Sequence, residues 1–398
     1  MKKNVSVRVK CAGRLRPRAL QTKGTITVLT MFMLILLIAF VALGVELARL
    51  TQAKTELQRT ADAAAMAAAG EYLDQLKSGA DAVSAETAAR QIAVQYAAAN
   101  PIGNLNPIVD LNTNNSLDGD IYFGVIRDFD DHNSPVAAGN GSNYNSITVR
   151  VQRTASRNGE VPFLFGRIIG VNSKPVVGSA TVAIARDIRG FRKPADSNLP
   201  FLPFALKESV WNDMMAGFGQ DQWTWNPETN RVEPGADGIR EANMFPQDTG
   251  ASGNSGTINI GGGNNGTSTL RRQIEAGLNE GDMNYYNGTI QLDDSGQIDF
   301  TANPGLSAGM SGSLVQVIGQ PRILPVYSTV TGNGSNATYT VVKFVGVTIL
   351  EVDLTGSKKK SKRIIVQPAP ITVKSVIPSS SDPGSNSDKV YSRPTLVR

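Results

Sequence analysis

Gly24-Thr25-Ile26-Thr27-Val28-Leu29-Thr30-Met31-Phe32-Met33-Leu34-Ile35-Leu36-Leu37-Ile38-Ala39-Phe40-Val41-Ala42-Leu43-Gly44-Val45 is a run of 22 residues without a charge. Wound as a helix it reaches about 33 Å, at about 1.5 Å per residue, which covers a hydrocarbon core of about 30 Å. A segment in lipid must close its own backbone hydrogen bonds, so a helix is the expected form. Eight basic residues and no acid precede it (Lys2, Lys3, Arg8, Lys10, Arg14, Arg16, Arg18, Lys23), and Glu46 and Arg49 follow. The charge asymmetry predicts an N-terminus in the cytoplasm and the chain beyond about residue 46 on the outer side of a cytoplasmic membrane, as a single-pass protein. A cleaved signal is the alternative, with Ala42-Leu43-Gly44 as its small-x-small site. Against cleavage, the apolar run exceeds a usual signal core of about 7–15 residues, and the helical pattern continues past Gly44.

Residues 46–76 hold no Pro and a single Gly, Gly70. Apolar side chains recur at Leu47, Leu50, Ala53, Leu57, Ala61, Ala64 and Ala68, spacings of three and four that make one helix face. Alanine favours helix and also lets a second helix approach closely, so this face reads as a helix-packing stripe. Ser78-Gly79-Ala80-Asp81 has the form of a helix start, and Asn100-Pro101 ends the second helix, because a residue before proline avoids the helical region.

The rest of the composition prunes the chemistry. The chain of 398 residues has one Cys, Cys11, and one His, His132, which removes a disulfide framework and any Cys-based zinc site. Beyond the basic tail there are 31 basic against 34 acidic residues, so the body has no excess of positive charge and is not expected to bind nucleic acid.

After Asn104 the helical period gives way to short β patterns. Ile121–Ile126, Ser146–Thr154 and Pro175–Arg186 read as strands, with Phe163–Ile169 as a short helix or turn beside them. Further on, Lys207–Ala216 and Thr269–Leu278 read as helices, and Arg322–Val330, Thr338–Leu354 and Arg363–Val376 as strands. The predicted fold is α+β: a transmembrane helix continuing into a long Ala-rich helix, then two mostly antiparallel β-rich exported domains. The expected organisation is a basic cytoplasmic tail (1–23), the membrane helix (24–45), a helical stalk (46–100), a β-rich domain (101–190), a second with long Gly/Asn loops (191–376), and a disordered end (377–398), the last from its Ser/Asp/Asn/Gly content.

Glu46-Leu47-Ala48-Arg49-Leu50, followed by Glu56-Leu57-Gln58-Arg59-Thr60-Ala61-Asp62-Ala63-Ala64-Ala65-Met66-Ala67, resembles the TadG-like N-terminal segment of Flp/Tad pilus-assembly proteins. The resemblance covers Gly24 to Ala69. It implies a pilin-like anchor in the cytoplasmic membrane that works in assembly of an adhesive pilus or related Tad secretion apparatus. It also implies other pilus-assembly membrane proteins as partners, besides the lipid bilayer; the alanine stripe itself reads as a packing face for a neighbouring subunit, a homo-oligomer through the helical stalk. Prepilin-type processing after Gly24 would go with a Glu at position 29, which here is Leu, so an anchored accessory factor fits better than a filament subunit.

Each candidate chemical motif has a plainer explanation. Asp353-Leu354-Thr355-Gly356-Ser357 lacks the middle Ser of a D-x-S-x-S metal site and reads as a hairpin end. Asp110, Asn112, Asn114, Ser116, Asp118 and Asp120 alternate as calcium ligands do, but Asn115 and Ile121 replace the Gly and Glu of an EF-hand loop, and Asn and Asp also suit turns. Gly261-Gly262-Gly263 lacks the phosphate-loop Lys and reads as a turned loop. His132 lies in a polar loop, Lys358-Lys359-Lys360 in a basic hairpin turn, and Trp223 and Trp225 suit either a core or a sugar-stacking surface. No catalytic residue, metal ligand or cofactor emerges. The expectation is therefore a structural protein and not an enzyme, with a surface-tethered adhesin for carbohydrate or cell-wall material as the alternative.

Overall fold

The computed structural model describes residues 23–129, 131, 133–141, 143–263, 265–304, 308–355, 362–379 and 385–398. His132, Cys11 and Lys358–Lys360 lie outside them. One helix, α1 (Lys23–Lys77), takes in both the uncharged run and the Ala-rich stretch. Nothing interrupts it: Gly70 is tolerated, and the stop comes at Gly79, whose φ of +83° leaves the helical region. The second helix, α2 (Ala82–Ala99), is capped by Asp81, which accepts hydrogen bonds from the N–H groups of Val83 and Ser84; Asp81, not Ser78, is the cap.

The β-rich chain begins with β1 (Ile121–Gly124), β2 (Ser146–Arg153), the short pair β3 (Val161–Pro162) and β4 (Ser173–Lys174), and β5 (Val176–Ala183). β1, β2 and β5 form an antiparallel meander whose buried face carries Ile121, Phe123, Ile147, Val149, Val151, Ala180 and Val182. That face is covered by α1 and α2: Leu57, Ala61, Ala64, Ala68, Tyr72 and the α2 residues Ala85, Ala89, Ala93 and Ala97 belong to the same core. The segment 46–100 is thus no free stalk. From Ala53 onward it is one layer of an α/β sandwich, because a sheet with one apolar face must bury it against something.

The chain continues through β6 (Ile188–Arg192), β7 (Leu206–Lys207), α3 (Glu208–Met215), β8 (Trp223–Asn226), β9 (Arg231–Pro234), β10 (Ala242–Phe245), α4 (Thr267–Ala276), α5 (Glu280–Asn284), β11 (Thr289–Gln291), β12 (Ile298–Thr301), α6 (Ser311–Gln316), β13 (Arg322–Thr331), β14 (Thr338–Asp353) and β15 (Arg363–Pro368). It ends with β16 (Ile371–Val373), β17 (Val376–Pro378), β18 (Ser387–Asp388), β19 (Val390–Ser392) and β20 (Thr395–Leu396). Strand β14 is the spine of the larger sheet, in the order β10-β15-β14-β13-β7, with β12 and β18 also on β14. An aromatic cluster of Phe191, Phe201 and Phe344 holds one side of it, with edge-to-face rings 5.1–5.8 Å apart.

Two expected boundaries move. The division expected at 190/191 falls inside β6, which pairs with β11 and β17; the change from one core to the other comes between Ile184 and Ala185. The end expected to be disordered instead carries β18, β19 and β20 in residues 385–398, and β20 pairs with β5 to become the fourth strand of the first sheet. Its Ser and Asn residues act as hydrogen-bonding groups: Ser387 Oγ and Ser392 Oγ accept from the buried N–H groups of Ile188 and Ala185, at 2.8 and 2.7 Å.

Candidate functional site

The helix α1 divides into two parts. Ile26 to Val41 is exposed all round, and none of its most apolar stretch is buried by the rest of the chain. This apolar helix is consistent with a membrane anchor. Of the predicted packing face, Leu57, Ala61, Ala64 and Ala68 are fully buried and Ala53 nearly so, whereas Leu50 is half-buried and Leu47 exposed. The structure fills the lower face with this chain's own α2 and sheet rather than with a neighbouring subunit. Outside that seat, the side chains from Ile26 to Val41 and those of Leu43, Val45 and Leu47 are exposed, whereas Glu46 is buried and Ala42, Arg49 and Leu50 are half-buried.

The closest approach in this seat is at Gly178 of β5, where even a Cβ atom would lie 2.5 Å from the carbonyl carbon of Leu57. Polar groups fix the register along the helix edge. Gln58 Nε2 donates to Ser179 O at 2.8 Å, Lys54 Nζ donates to Val177 O, and Thr60 Oγ1 donates to Asn100 O at 3.1 Å. At Glu46, the first charge after the apolar run, Oε1 accepts from the N–H groups of Phe165 (2.5 Å) and Gly166 (3.4 Å). A carboxylate held by backbone N–H groups is a strong, oriented contact.

The Asp110–Asp120 loop buries Asn112 and Asp120, while Asp110, Asn114 and Asp118 stay exposed. Asp120 pairs with Arg157 at 2.9 Å and accepts from Gln152, and Asp110 Oδ1 accepts from Asn112 N at 2.7 Å. Arg90 of α2 reaches in to donate to the carbonyls of Leu111 (2.8 Å) and Ile121 (2.6 Å) and to Asn115 Oδ1 (2.8 Å), with its guanidinium 4.8 Å from the Phe123 ring centre. Burial pulls the Arg90 guanidinium below its ordinary range, against the opposing pull of Glu86 at 4.0 Å. Among the described residues no group of three or more His, Cys, Asp or Glu is placed to hold a metal. Ile121 O keeps the Asn112 side-chain amide and Asn115 Oδ1 keeps the Phe123 N–H, so replacing Arg90 with Met strands the Leu111 carbonyl and is expected to cost about 1–3 kcal/mol, read as a lower urea midpoint. Arg90→Lys should not restore the midpoint, because one ammonium cannot reproduce the fork; full recovery by Lys would refute this account of the loop.

The other motifs are absorbed by packing. Gly261 and Gly262 lie against Asp282 and the Tyr285 ring, and Thr355 donates to Asp353 Oδ1 from both its N–H and its hydroxyl. Trp223 and Trp225 are half-buried on the β8–β9 hairpin, and the Trp225 ring lies against Gly319. Trp223 borders an open cleft of about 840 Å³ with Lys207, Gln220, Glu241, Glu351 and Arg363, but Glu241 spends a carboxylate oxygen on the N–H groups of Gln222 and Trp223. Sequence reasoning missed Arg90 and Glu46 as organising residues. Their signal was weak: one of the two charges inside an Ala-rich helix, and one charge at the end of the apolar run.

Residues 24–71 match a protein-family model described as putative Flp pilus-assembly TadE/G-like. The match spans about an eighth of the chain and ends within the part of α1 that is seated on the sheet. Comparisons with curated proteins and with solved structures gave no match.

Proposed function

We propose, from the TadE/G-like segment at residues 24–71, that this chain is a membrane-anchored accessory protein of Flp-type pilus assembly. Residues 24–45 cross the cytoplasmic membrane with the N-terminus inside, and the body from about residue 46 stands on the outer side. The work is structural and not enzymatic. The observation that carries this reading is the continuity of α1: the helix that is bare and apolar from Ile26 to Val41 is the same helix whose residues 53–73 are built into the first core. A load on the body is transmitted to the membrane helix, and the exposed stretch from Ile26 to Val41 is left for other small pilin-like membrane proteins. The adhesin alternative receives no support from Trp225, whose half-buried ring packs against Gly319.

The test is the intact mass of the native protein in carbonate-washed membranes. A full-length mass is expected there. A chain starting at Val45 in the soluble fraction would refute the anchor, and one starting at Thr25 in sheared filaments would make it a pilin-like subunit.

A further inference from the structure

The connection between β3 and β4 carries an apolar tip that the body leaves bare. Within nine residues, Leu164, Phe165, Ile168, Ile169 and Val171 are all exposed, Ile168 at 83% and Ile169 at 80%. A soluble surface rarely gathers so many large apolar side chains without a use for them. The tip is also a built structure. Phe163 N donates to Asn172 O, Val171 N to Gly166 O and Ile168 N to Phe165 O, at 2.9–3.0 Å. Gly170 turns the chain at φ +84°, and a Cβ at Gly166 would sit 2.6 Å from Val171 O. The side chains point outward because the backbone inside the turn leaves them no room.

Its place along α1 identifies what it faces. Ser179 lies beside Gln58, Val177 beside Lys54, and Phe165 and Gly166 beside Glu46, so β5 and then this tip follow the helix back toward its apolar end. From Gln58 to Glu46 is about 18 Å of helix. Glu46 is the first residue past the uncharged run, so the carboxylate clamp sets the tip at the level where α1 leaves the apolar segment. Glu46 Oε2 and Arg49 Nη1 are buried there without a hydrogen-bond partner among the described residues, which leaves polar capacity at the same level. Arg167 and Lys174 are exposed at the tip and its base.

We infer that the Phe163–Val171 tip is a second membrane contact, seated in the outer-face lipid boundary beside the emerging helix. Leu164, Phe165, Ile168, Ile169 and Val171 enter the headgroup–acyl boundary by about 5–10 Å, while Arg167 and Lys174 meet anionic headgroups. With α1 this makes a two-point attachment, which fixes the tilt and rotation of the body over the membrane. The inference rests on the reading that residues 24–45 span the bilayer, and its test separates the two.

In the full chain with Cys11→Ser, one fluorophore-bearing cysteine is introduced as Ile168→Cys, Leu29→Cys or Val83→Cys. Val83 is an exposed site at the start of α2, beside the far end of α1. Each protein is reconstituted into phosphatidylethanolamine–phosphatidylglycerol vesicles with and without acyl-chain bromine. Bromine should quench emission at Ile168→Cys and Leu29→Cys and leave Val83→Cys unchanged. Loss at Leu29→Cys alone overturns the lipid contact and leaves the span standing; no loss at Leu29→Cys overturns both. Blue-shifted emission at Ile168→Cys that bromine does not quench means that protein covers the tip, which also overturns the inference.

Discussion

Deleting residues 385–398 is expected to abolish the cooperative unfolding of the detergent-solubilised chain. The segment is short, but it joins two of the three large cores: Tyr391 packs against the first and Val390 belongs to the second. Val390 and Val397 are buried, and removing each loses about 1.5–3 kcal/mol of burial. The N–H groups of Ala185 and Ile188 lose Ser392 Oγ and Ser387 Oγ, at about 1–3 kcal/mol for each buried donor left alone. Asp187 loses three donors at once, the Asn386 N–H, the Asn386 side-chain amide and the Ser387 N–H. Strand β5 becomes an edge where β20 had covered Val182 and Ala183. Against a net stability of about 5–15 kcal/mol these losses decide whether the body folds. Urea denaturation followed by tryptophan fluorescence reads the result directly. A truncated chain with the midpoint of the intact one would show that these strands merely rest on the surface.

The second large effect lies at the seat of the helix. Gly178→Val places a side chain where a Cβ alone is 2.5 Å from Leu57 C, 2.6 Å from Leu57 O and 2.8 Å from Gln58 N. These are backbone atoms of α1 and cannot swing aside, so the helix must lift from the sheet. Overpacking of this kind costs about 1–3 kcal/mol, and more where backbone resists. The expected readout is a lower unfolding midpoint together with faster hydrogen exchange in residues 53–73. Gly70→Ala is the opposite case. It lies in the same helix with nothing within 4 Å of the added Cβ, and should stabilise by about 0.5–1 kcal/mol. Equal effects at the two glycines would refute the close helix–sheet approach.

Much of this architecture is legible in the sequence. An apolar run with no charge from Gly24 to Val45, followed by a three-and-four spacing without proline, specifies a helix, and α1 takes both parts in. Alternation at Ile147, Val149 and Val151 specifies a strand with those three on one face, because successive side chains point to opposite sides, although Ser146 and Thr148 on the other face are buried as well. The TadE/G-like pattern in the same stretch matches the family model over 24–71. Each of these signals is local, repeating over one helical turn or one pleat.

What only the tertiary structure decided is which surface covers which. Periodicity shows that Leu57, Ala61, Ala64 and Ala68 form a face, but it carries no address, and the cover proved to be α2 and the first sheet rather than another subunit. The Ser/Asn-rich end reads as disordered because it has few apolar residues, yet its hydroxyls accept from the backbone N–H groups of Ala185 and Ile188, and Asn386 donates to the Asp187 carboxylate, all about 200 positions earlier. Backbone pairing of β20 with β5 and of β18 with β14 uses N–H and C=O groups that every residue possesses, so it leaves little mark on composition. Glu46 meeting Phe165 is a contact of the same kind: one carboxylate and two backbone amides, joined only by the course of the chain between them.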